Sequence, residues 1–369
     1  ENQNKLKVVT RSARQRQLLR AKGIQPSAEA TVLGTPFRED GLLEVAGPRL
    51  DKFQALLRRL GCLPVVSCVK HRLYRTVIIP QLLWSFWWSP CSAADLQDQQ
   101  KLTTNVKRAL DVVQQGSRDL WLLLAGHWMD VGFALRLASA SAFFAADAFW
   151  REQGRRLVIG RWGQSVGSFL QELQFTRTGA HAWQHAVAGA FDLSAGDLPA
   201  RNKARHLMRE AWRRQRYASF LRGQRHELDD LIPDDEGYSE TVLKAAIKLY
   251  NGASNEERHV MLGGCVSEEQ YARMHKLPPQ GAGSFLLRCT LCGRTGVPNW
   301  WHAAWCCSYF ASSRPATPTS SWAWRLGWPL RGERHADVRE RLRHLGLVRA
   351  AVRGQFGFRP PGRRQLEVT

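Results

Sequence analysis

Acidic residues and long apolar runs are both scarce in this chain. Its 369 residues include 53 Lys and Arg but only 32 Asp and Glu, which leaves a net charge of +21. Such an excess favours a polyanion as partner, and nucleic acid, RNA or DNA, is the leading candidate. The longest apolar stretches, Thr76–Trp88 and Trp121–Ala125, fall short of the ~20 residues that a membrane-spanning helix needs. We therefore expect no membrane partner.

A secretory signal and an initiator methionine are both missing from the start of the chain, which opens on Glu1. We therefore expect an intracellular, nuclear protein that is part of a longer one. Four scattered cysteines, Cys62, Cys68, Cys91 and Cys265, fit reduced thiols in such a compartment. A hydrophobic content of 44% excludes a disordered chain, and the length predicts two or three domains.

Motifs of the common enzyme classes are also missing. His181 and His185 are spaced as on a zinc-protease helix, but no Glu lies between them to act as general base, which favours a packed or surface pair. Gly281–Ser284 lacks the Lys of a phosphate-binding loop. The acidic stretch Asp229–Glu236 surrounds Pro233 without a preceding apolar strand, so a solvated turn is favoured over a Mg²⁺ site. We predict no catalytic and no cofactor-binding residues.

Cysteine is concentrated at one place, where four of the eight cysteines lie within nineteen residues. Cys289 and Cys292 are separated by two residues, His302 follows after nine more, and Cys307 after another four. A Cys-x-x-Cys turn and a helical turn with His and Cys can close a tetrahedron around Zn²⁺. We predict a structural zinc bound by these four residues, with Cys306 as the competing fourth ligand. The alternative is a chance clustering of buried cysteines.

Helical periodicity dominates the rest of the chain. Apolar residues recur at intervals of three and four from Leu50 to Leu60, for example, whereas Lys52 and Arg58 fall on the opposite face. We predict a mainly α fold with a small mixed α/β start, no internal repeat, and six segments. These are 1–48 (a mixed α/β start), 49–116 (a helical region), 117–228 (helices ending in a basic helix), 229–284 (a linker with short helices), 285–330 (a zinc knuckle and a Trp-rich segment) and 331–369 (a basic helix and a disordered tail).

Individual elements follow from the same patterns. We expect strands at Lys5–Thr10 and Ala30–Phe37, the second followed by a turn at Pro36. Two shorter helices are expected within Arg161–Phe191, and irregular structure at Ser308–Ser321. Helices are expected at Ser12–Lys22, Ala93–Val113, Leu120–Trp150, Glu240–Tyr250, Ser267–His275 and Ala336–Phe356.

A run of basic residues interleaved with aromatic ones predicts a long amphipathic helix over Arg201–Arg225. A solvated helix face is the usual explanation of such a run, and the charge of the whole chain makes phosphate contact an equal alternative. Fifteen tryptophans are mostly expected in cores, with a minority available to stack on bases. The candidate nucleic-acid-binding residues are Arg201, Lys203, Arg205, Arg209, Arg213, Arg214 and Arg216.

Several short motifs follow one another along the chain: Asn2 with Lys5, Val32-Leu33-Gly34, Arg58–Lys70, Ile79–Trp84, His302–Cys307 and Arg325–Pro329. Taken in order, they resemble the C-terminal part of a non-LTR (LINE-type) retrotransposon reverse transcriptase. Asn2 and Lys5 resemble the Asn…Lys element after the catalytic aspartates, and Val32-Leu33-Gly34 resembles the primer-grip turn. Arg58–Lys70 and Ile79–Trp84 are similar to the helical thumb. His302–Cys307 resembles the His-x-x-Trp-Glu-Cys end of the C-terminal zinc knuckle, with Cys306 in place of the Glu, and Arg325–Pro329 resembles dinoflagellate versions.

The resemblance implies that 1–48 is a palm remnant with a primer-grip-like segment and that 49–116 is a thumb-like region. The chain would then grip template–primer with the thumb and position nucleic acid with the knuckle. The upstream polymerase segment of the same polyprotein would then be a partner. The Phe/Tyr-x-Asp-Asp polymerase motif and the Pro-Asp…Asp/Glu endonuclease signature are both missing from this chain. We therefore expect it neither to polymerise nor to nick DNA by itself. The alternative is a stand-alone zinc-containing RNA- or DNA-binding protein of unrelated origin.

Overall fold

The fold was obtained as a computed structural model and is mainly α, as predicted. The structure describes residues 13–26, 29–32, 35–38, 48–84, 93–110, 112, 117–154, 161–223, 239–263, 289, 291–293, 300, 302–315 and 326–355. Four predicted features lie outside these residues: the strand Lys5–Thr10, the acidic turn Asp229–Glu236, the helix Ser267–His275 and the tail from Arg359.

Twelve α-helices are found within the described residues, together with five strands and four short π or 3₁₀ helices. The helices are α1 (Ala13–Ala21), α2 (Pro48–Cys62), α3 (Ser67–Leu73), α4 (Ile79–Leu83), α5 (Ala93–Ala109), α6 (Arg118–Ala125), α7 (Val131–Glu152), α8 (Arg161–Glu172), α9 (Leu198–Gly223), α10 (Glu240–Gly252), α11 (Asn255–Met261) and α12 (His335–Gln355). The strands are β1 (Glu29–Val32), β2 (Thr35–Arg38), β3 (Thr176–Arg177), β4 (Ala182–His185) and β5 (Gly189–Asp192).

The chain divides into two compact units. One consists of Glu1–Val112 and Gly126–Gln215, and the other of Val113–Ala125 and Arg216–Thr369. The six predicted segments do not coincide with these units, since 49–116 and 117–228 each contain residues of both, and the segments stay a prediction.

In the first unit, α2 packs against α5 as its periodicity predicts. Phe53, Leu57 and Leu60 are buried, whereas Arg58 and Arg59 are exposed on the other face. A π-helical turn, Tyr74–Ile78, joins α3 to α4 and also packs against α2. The apolar i, i+3, i+4 pattern thus produces the buried stripe from which this helical layer is built.

Helix α7 is long and apolar enough to cross a membrane by length and composition, although the sequence patterns did not single it out as such. Within the protein, 56% of its most apolar window is buried, as in the core helix of a globular unit. Asp130 caps its first turn by accepting a hydrogen bond from the Phe133 amide.

The prediction of two helices within Arg161–Phe191 was wrong. Only α8 is helical there, and β3, β4 and β5 then form an antiparallel three-stranded sheet in that order. The physical reason is tertiary packing, since the rings of Phe175 and Phe191 lie 5.4 Å apart in the core. Gly189 begins β5 with a positive φ of 108°, which favours glycine.

The first hairpin also differs from the expected single strand. Strands β1 and β2 are antiparallel, and residues 33 and 34, which connect them, lie outside the described residues. Pro36 is therefore not in a turn after the strand but within β2, opposite Thr31. Helix α1 agrees with the predicted helix at Ser12–Lys22.

In the second unit, α12 packs along α11, and α6 packs against α10. The two helices α11 and α12 approach closely at Gly346, where an added Cβ would come within 2.9 Å of the Glu257 side chain. Arg341 on α12 is buried and is held by an ion pair with Glu333 and by the Trp328 carbonyl oxygen. Helix α11 was not predicted, although Ser254 and Glu257 form the capping box that marks its start.

Candidate functional site

Four predicted ligands meet in the second unit. The Sγ atoms of Cys289 and Cys307 are 3.9 Å apart, and Cys292 Sγ lies 3.5 Å from His302 Nε2. All four donor atoms lie within 4.8 Å of one another. Two thiolates on one tetrahedral Zn²⁺ would be about 3.8 Å apart, and a thiolate and an imidazole nitrogen about 3.6 Å, given bonds of ~2.3 and ~2.0–2.1 Å. The arrangement is compatible with a metal ion at its centre.

Local backbone structure explains how distant ligands reach this point. The Cys289 carbonyl oxygen accepts a hydrogen bond from the Gly293 amide, which closes the Cys-x-x-Cys turn. Gly293 has a positive φ of 68°, as the end of such a turn favours. His302–Cys306 is a single π-helical turn, and the Cys307 amide donates to the His302 carbonyl oxygen at 2.7 Å. The i to i+5 bond of this turn brings Cys307 next to His302.

The competing ligand, Cys306, lies apart from the cluster. It is exposed and does not belong to the group of converging donors, whereas Cys307 is fully buried. The structure therefore brings Cys289, Cys292, His302 and Cys307 together and leaves Cys306 facing outward. Spacing alone left the two cysteines as alternatives.

The cluster is embedded in apolar side chains of the second unit. Cys289 and Cys307 share a core with Trp305 of the π turn, with Phe310 from the segment that follows this turn, and with Leu345 of α12. The predicted irregular stretch Ser308–Ser321 is wrong in its first part, because Ser308–Ser313 forms a 3₁₀-helical turn that carries Phe310 into this core.

Burial, with the neighbouring Cys292 and Cys289 sulfurs, raises the pKa of the Cys307 thiol to about 12. Without a cation, this thiol therefore holds its proton at neutral pH. A bound cation stabilises thiolates and displaces their protons. Three thiols and one imidazole around one point are the donor set that soft N/S metals such as zinc prefer.

His344 on α12 contacts the backbone of the π turn that carries His302, and the sequence patterns did not identify it as part of the site. Its Nε2 lies 2.7 Å from the Ala304 carbonyl oxygen, and its Nδ1 lies 3.1 Å from Ser313 Oγ. Burial and the charge of Arg314 lower its pKa, against the opposing effect of these hydrogen bonds. A neutral imidazole that donates to Ala304 thus fixes the π turn between His302 and Cys307.

The second predicted site, the basic run, lies on α9, and this helix agrees with the expected one. The basic side chains of α9 differ in whether a carboxylate lies nearby. Arg213 and Arg214 lie 3.6 and 3.3 Å from the buried carboxylate of Glu210, and Arg216 lies 3.3 Å from Asp119. Glu210 precedes Arg213 and Arg214 by three and four residues, a spacing that indicates ion pairs on a helix, and the prediction from the basic run did not include it.

Four candidate residues of α9 have no ion pair with a carboxylate among the described residues: Arg201, Lys203, Arg205 and Arg209. Lys203 is exposed, and the other three are half-buried. Arg209 donates from Nε to the Arg205 carbonyl oxygen, and Arg201 donates to that of Asp197. Burial and the charges of Arg205 and Arg213 lower the pKa of Arg209. The positive charge on this part of α9 is therefore not neutralised by nearby carboxylates of the described chain.

The two histidines of the protease-like spacing do not share a helix. His185 is buried at the end of β4, and its Nδ1 accepts hydrogen bonds from the amides of Val187 and Ala188. His181 lies before β4, with its Nδ1 3.5 Å from Asp147. His185 is thus packed and His181 is half-buried, as expected of a packed or surface pair, but the shared helix face was wrong because the segment is a hairpin.

Comparison with protein-family models, with curated proteins and with solved structures finds no match to this chain.

Proposed function

We propose that this protein binds RNA or DNA through α9 and that a structural zinc ion holds the segment from Cys289 to Cys307. The observation that carries the proposal is the pair Arg205 and Arg209, one helical turn apart and without a carboxylate partner in the described chain. Two half-buried like charges repel each other, and phosphate oxygens relieve that repulsion through charge-assisted hydrogen bonds. The net charge of +21 supports a polyanion rather than a single small anion.

The role proposed for zinc follows from the number of donors. Four protein ligands occupy every position of a tetrahedral ion, so no position remains for a water molecule or a substrate. The ion would therefore stabilise the fold of the π turn and its apolar surroundings rather than catalyse a reaction. Metal binding would also offset the cost of burying the Cys307 thiolate.

More specifically, we propose that this chain is a C-terminal piece of a non-LTR retrotransposon reverse transcriptase. The support is the order of the motifs and the helical character of the thumb-like stretch, where α2, α3 and α4 span Pro48–Leu83. The chain would then work beside a polymerase segment of the same polyprotein. A stand-alone nucleic-acid-binding protein is the alternative. An open reading frame that encodes Phe/Tyr-x-Asp-Asp ahead of Asn2 would favour the first, and a start codon directly before Glu1 the second.

Binding of the purified, zinc-loaded chain to single-stranded RNA, single-stranded DNA and duplex DNA tests the proposal. We expect binding that weakens linearly on a log–log plot as salt rises, because each phosphate contact releases counterions. No binding to any of the three at low salt would contradict it. Binding that does not respond to salt would contradict the role of the arginines.

A further inference from the structure

A cavity of about 810 Å³ lies within the first unit beside the two arginines of α9. This volume falls within the range of ~300–1,000 Å³ that is typical of ligand sites. Its floor is one face of α7, where Ala134, Ala138, Ala142 and Ala145 recur at helical intervals and leave room by their small size. The space therefore follows from a stripe of alanines on one face of α7.

Aromatic rings form the walls of this cavity. Trp128, Trp150 and Trp162 line it, and Trp162 is fixed by a hydrogen bond from its Nε1 to Ser139 Oγ at 2.9 Å. Phe143 contacts the Trp162 ring at 5.3 Å between centroids and supports it. Flat, fixed rings beside an empty volume suit a flat aromatic ligand, because offset stacking or edge contact adds to simple burial.

Polar groups occupy one part of the lining. Arg205 and Arg209 contribute charge there, and His127 contributes an imidazole that is only 8% exposed. The Nε2 atom of His127 is buried and has no hydrogen-bond partner within the described part of the chain. A buried polar atom without a partner is costly, and a ligand that hydrogen-bonds to it removes the cost.

His127 is held neutral in this setting. Burial, and then the charges of Arg209, Arg213 and Arg75, lower its pKa to about 3. A neutral imidazole can donate or accept at Nε2, depending on the tautomer. Charge recognition therefore falls to the arginines, and His127 offers a single neutral hydrogen bond.

We infer that this cavity takes one unstacked nucleotide of a single strand, with the base between the tryptophan rings and its phosphate on Arg205 and Arg209. The inference deepens the proposed function and rests on it. A nucleotide satisfies all three features together: the rings stack on the base, the arginines pair with the phosphate, and His127 bonds to a polar edge of the base. An anionic amphiphile with an alkyl chain would pair with the arginines but would leave His127 without a partner.

The test compares a single-stranded oligonucleotide with a fully abasic strand of the same length, which carries the same phosphates without bases. Stacking of one base contributes ~1–3 kcal/mol, so the full chain should bind the base-carrying strand ~5- to 150-fold more tightly. Ala142→Phe, which fills the cavity, should reduce this ratio strongly and leave binding of the abasic strand within about twofold of the parent. Ala190→Phe adds the same ring at an exposed position of β5 and should leave the ratio unchanged.

Each outcome decides between the alternatives. The deciding quantity is the ratio of the affinity for the base-carrying strand to that for the abasic strand. A ratio near one for the parent protein, or a ratio that Ala142→Phe does not reduce, would overturn the inference while leaving the proposed function intact. No binding of either strand would overturn both. Laurate serves as the amphiphile probe, and binding of laurate that Ala142→Phe blocks, with no preference for bases, would identify an alkyl ligand instead. If Ala142→Phe fails to fold, Ala138→Leu fills less of the same face and is measured against the same criteria.

Discussion

Trp212 donates a hydrogen bond from its indole Nε1 to Oδ2 of Asp130, at 3.1 Å and across 82 residues of sequence. Both residues are buried, and the other oxygen of Asp130 caps α7 through the Phe133 amide. Trp212 also stacks on Phe133, with centroids 5.0 Å apart. One carboxylate thus joins the start of α7 to the apolar side of α9 and fixes the face of α9 that carries Arg205 and Arg209.

Asp130→Ala should therefore destabilise the first unit by about 2–4 kcal/mol. The lost cap accounts for ~1 kcal/mol, and the buried indole N–H left without a partner for a further ~1–3. Chemical denaturation followed by tryptophan fluorescence measures the change. Asp197→Ala is the matched control, because Asp197 caps α9 through the Ala200 amide at an exposed position and should cost only ~1 kcal/mol. Equal losses in the two variants would contradict the linking role of Asp130.

If zinc binds at the proposed site, we expect the folding of the second unit around that site to depend on the metal. Cys289→Ser should release the ion and loosen the core around Trp305 and Phe310, because one of four ligands is lost. Metal analysis under reducing conditions should find about one zinc per chain in the parent. Cys306→Ser should retain the metal, since this cysteine is exposed and outside the cluster. Less than about half an equivalent in the parent would contradict the site, and loss of zinc in Cys306→Ser would contradict the ligand assignment.

Removal of two arginines tests the basic helix. Arg205→Gln together with Arg209→Gln should weaken binding of a single strand and reduce the slope of log K against log salt by about 0.7 for each lost contact. The affinity should fall by a similar factor for strands of different nucleotide sequence, because phosphate contacts do not distinguish one base from another. Arg331→Gln with Arg343→Gln makes the same change in net charge at exposed positions of the second unit. Equal effects of the two pairs would indicate a general charge effect rather than a site on α9.

Acid should destabilise the first unit through His127. Its pKa is about 3 in the folded protein against 6.5 for the ordinary side chain, so below pH 6.5 the unfolded chain binds a proton that the folded one does not. Stability contributed by the neutral imidazole is present above pH 6.5 and is lost as the pH falls toward 3, by at most ~1.4 kcal/mol per pH unit. His127→Gln should flatten the dependence of the unfolding free energy on pH between 6.5 and 4. His206→Gln, exposed on α9, is the control and should not flatten it.

The sequence by itself determined the helical class, the start of α2 and its buried face, the long basic helix α9, and the four residues that converge as candidate metal ligands. Each of these depends on local information. A stripe of apolar residues at helical spacing, or a Cys-x-x-Cys turn, involves only residues that are close together in the sequence. The prediction of α9 succeeded for this reason, since its propensity and its tertiary environment favour the same state.

Only the tertiary structure decided the rest. Between Arg161 and Phe191, the spacing of apolar residues predicts helices, but the second half of this segment forms a sheet. Phe175 and Phe191 are buried together in the core, and this burial outweighs a weak local helix propensity. The choice between the predicted ligand Cys307 and its competitor Cys306 depends on the π turn and on His344, which orient the backbone so that Cys307 is in the cluster. The pairing of Arg213 and Arg214 with Glu210 is local to α9. The pairing of Arg216 with Asp119, and the position of Arg205 and Arg209 beside the aromatic cavity, depend on residues from other helices. The pattern along α9 could therefore identify only the arginines that pair with Glu210, and the other helices determine which of the remaining charges are available for a phosphate.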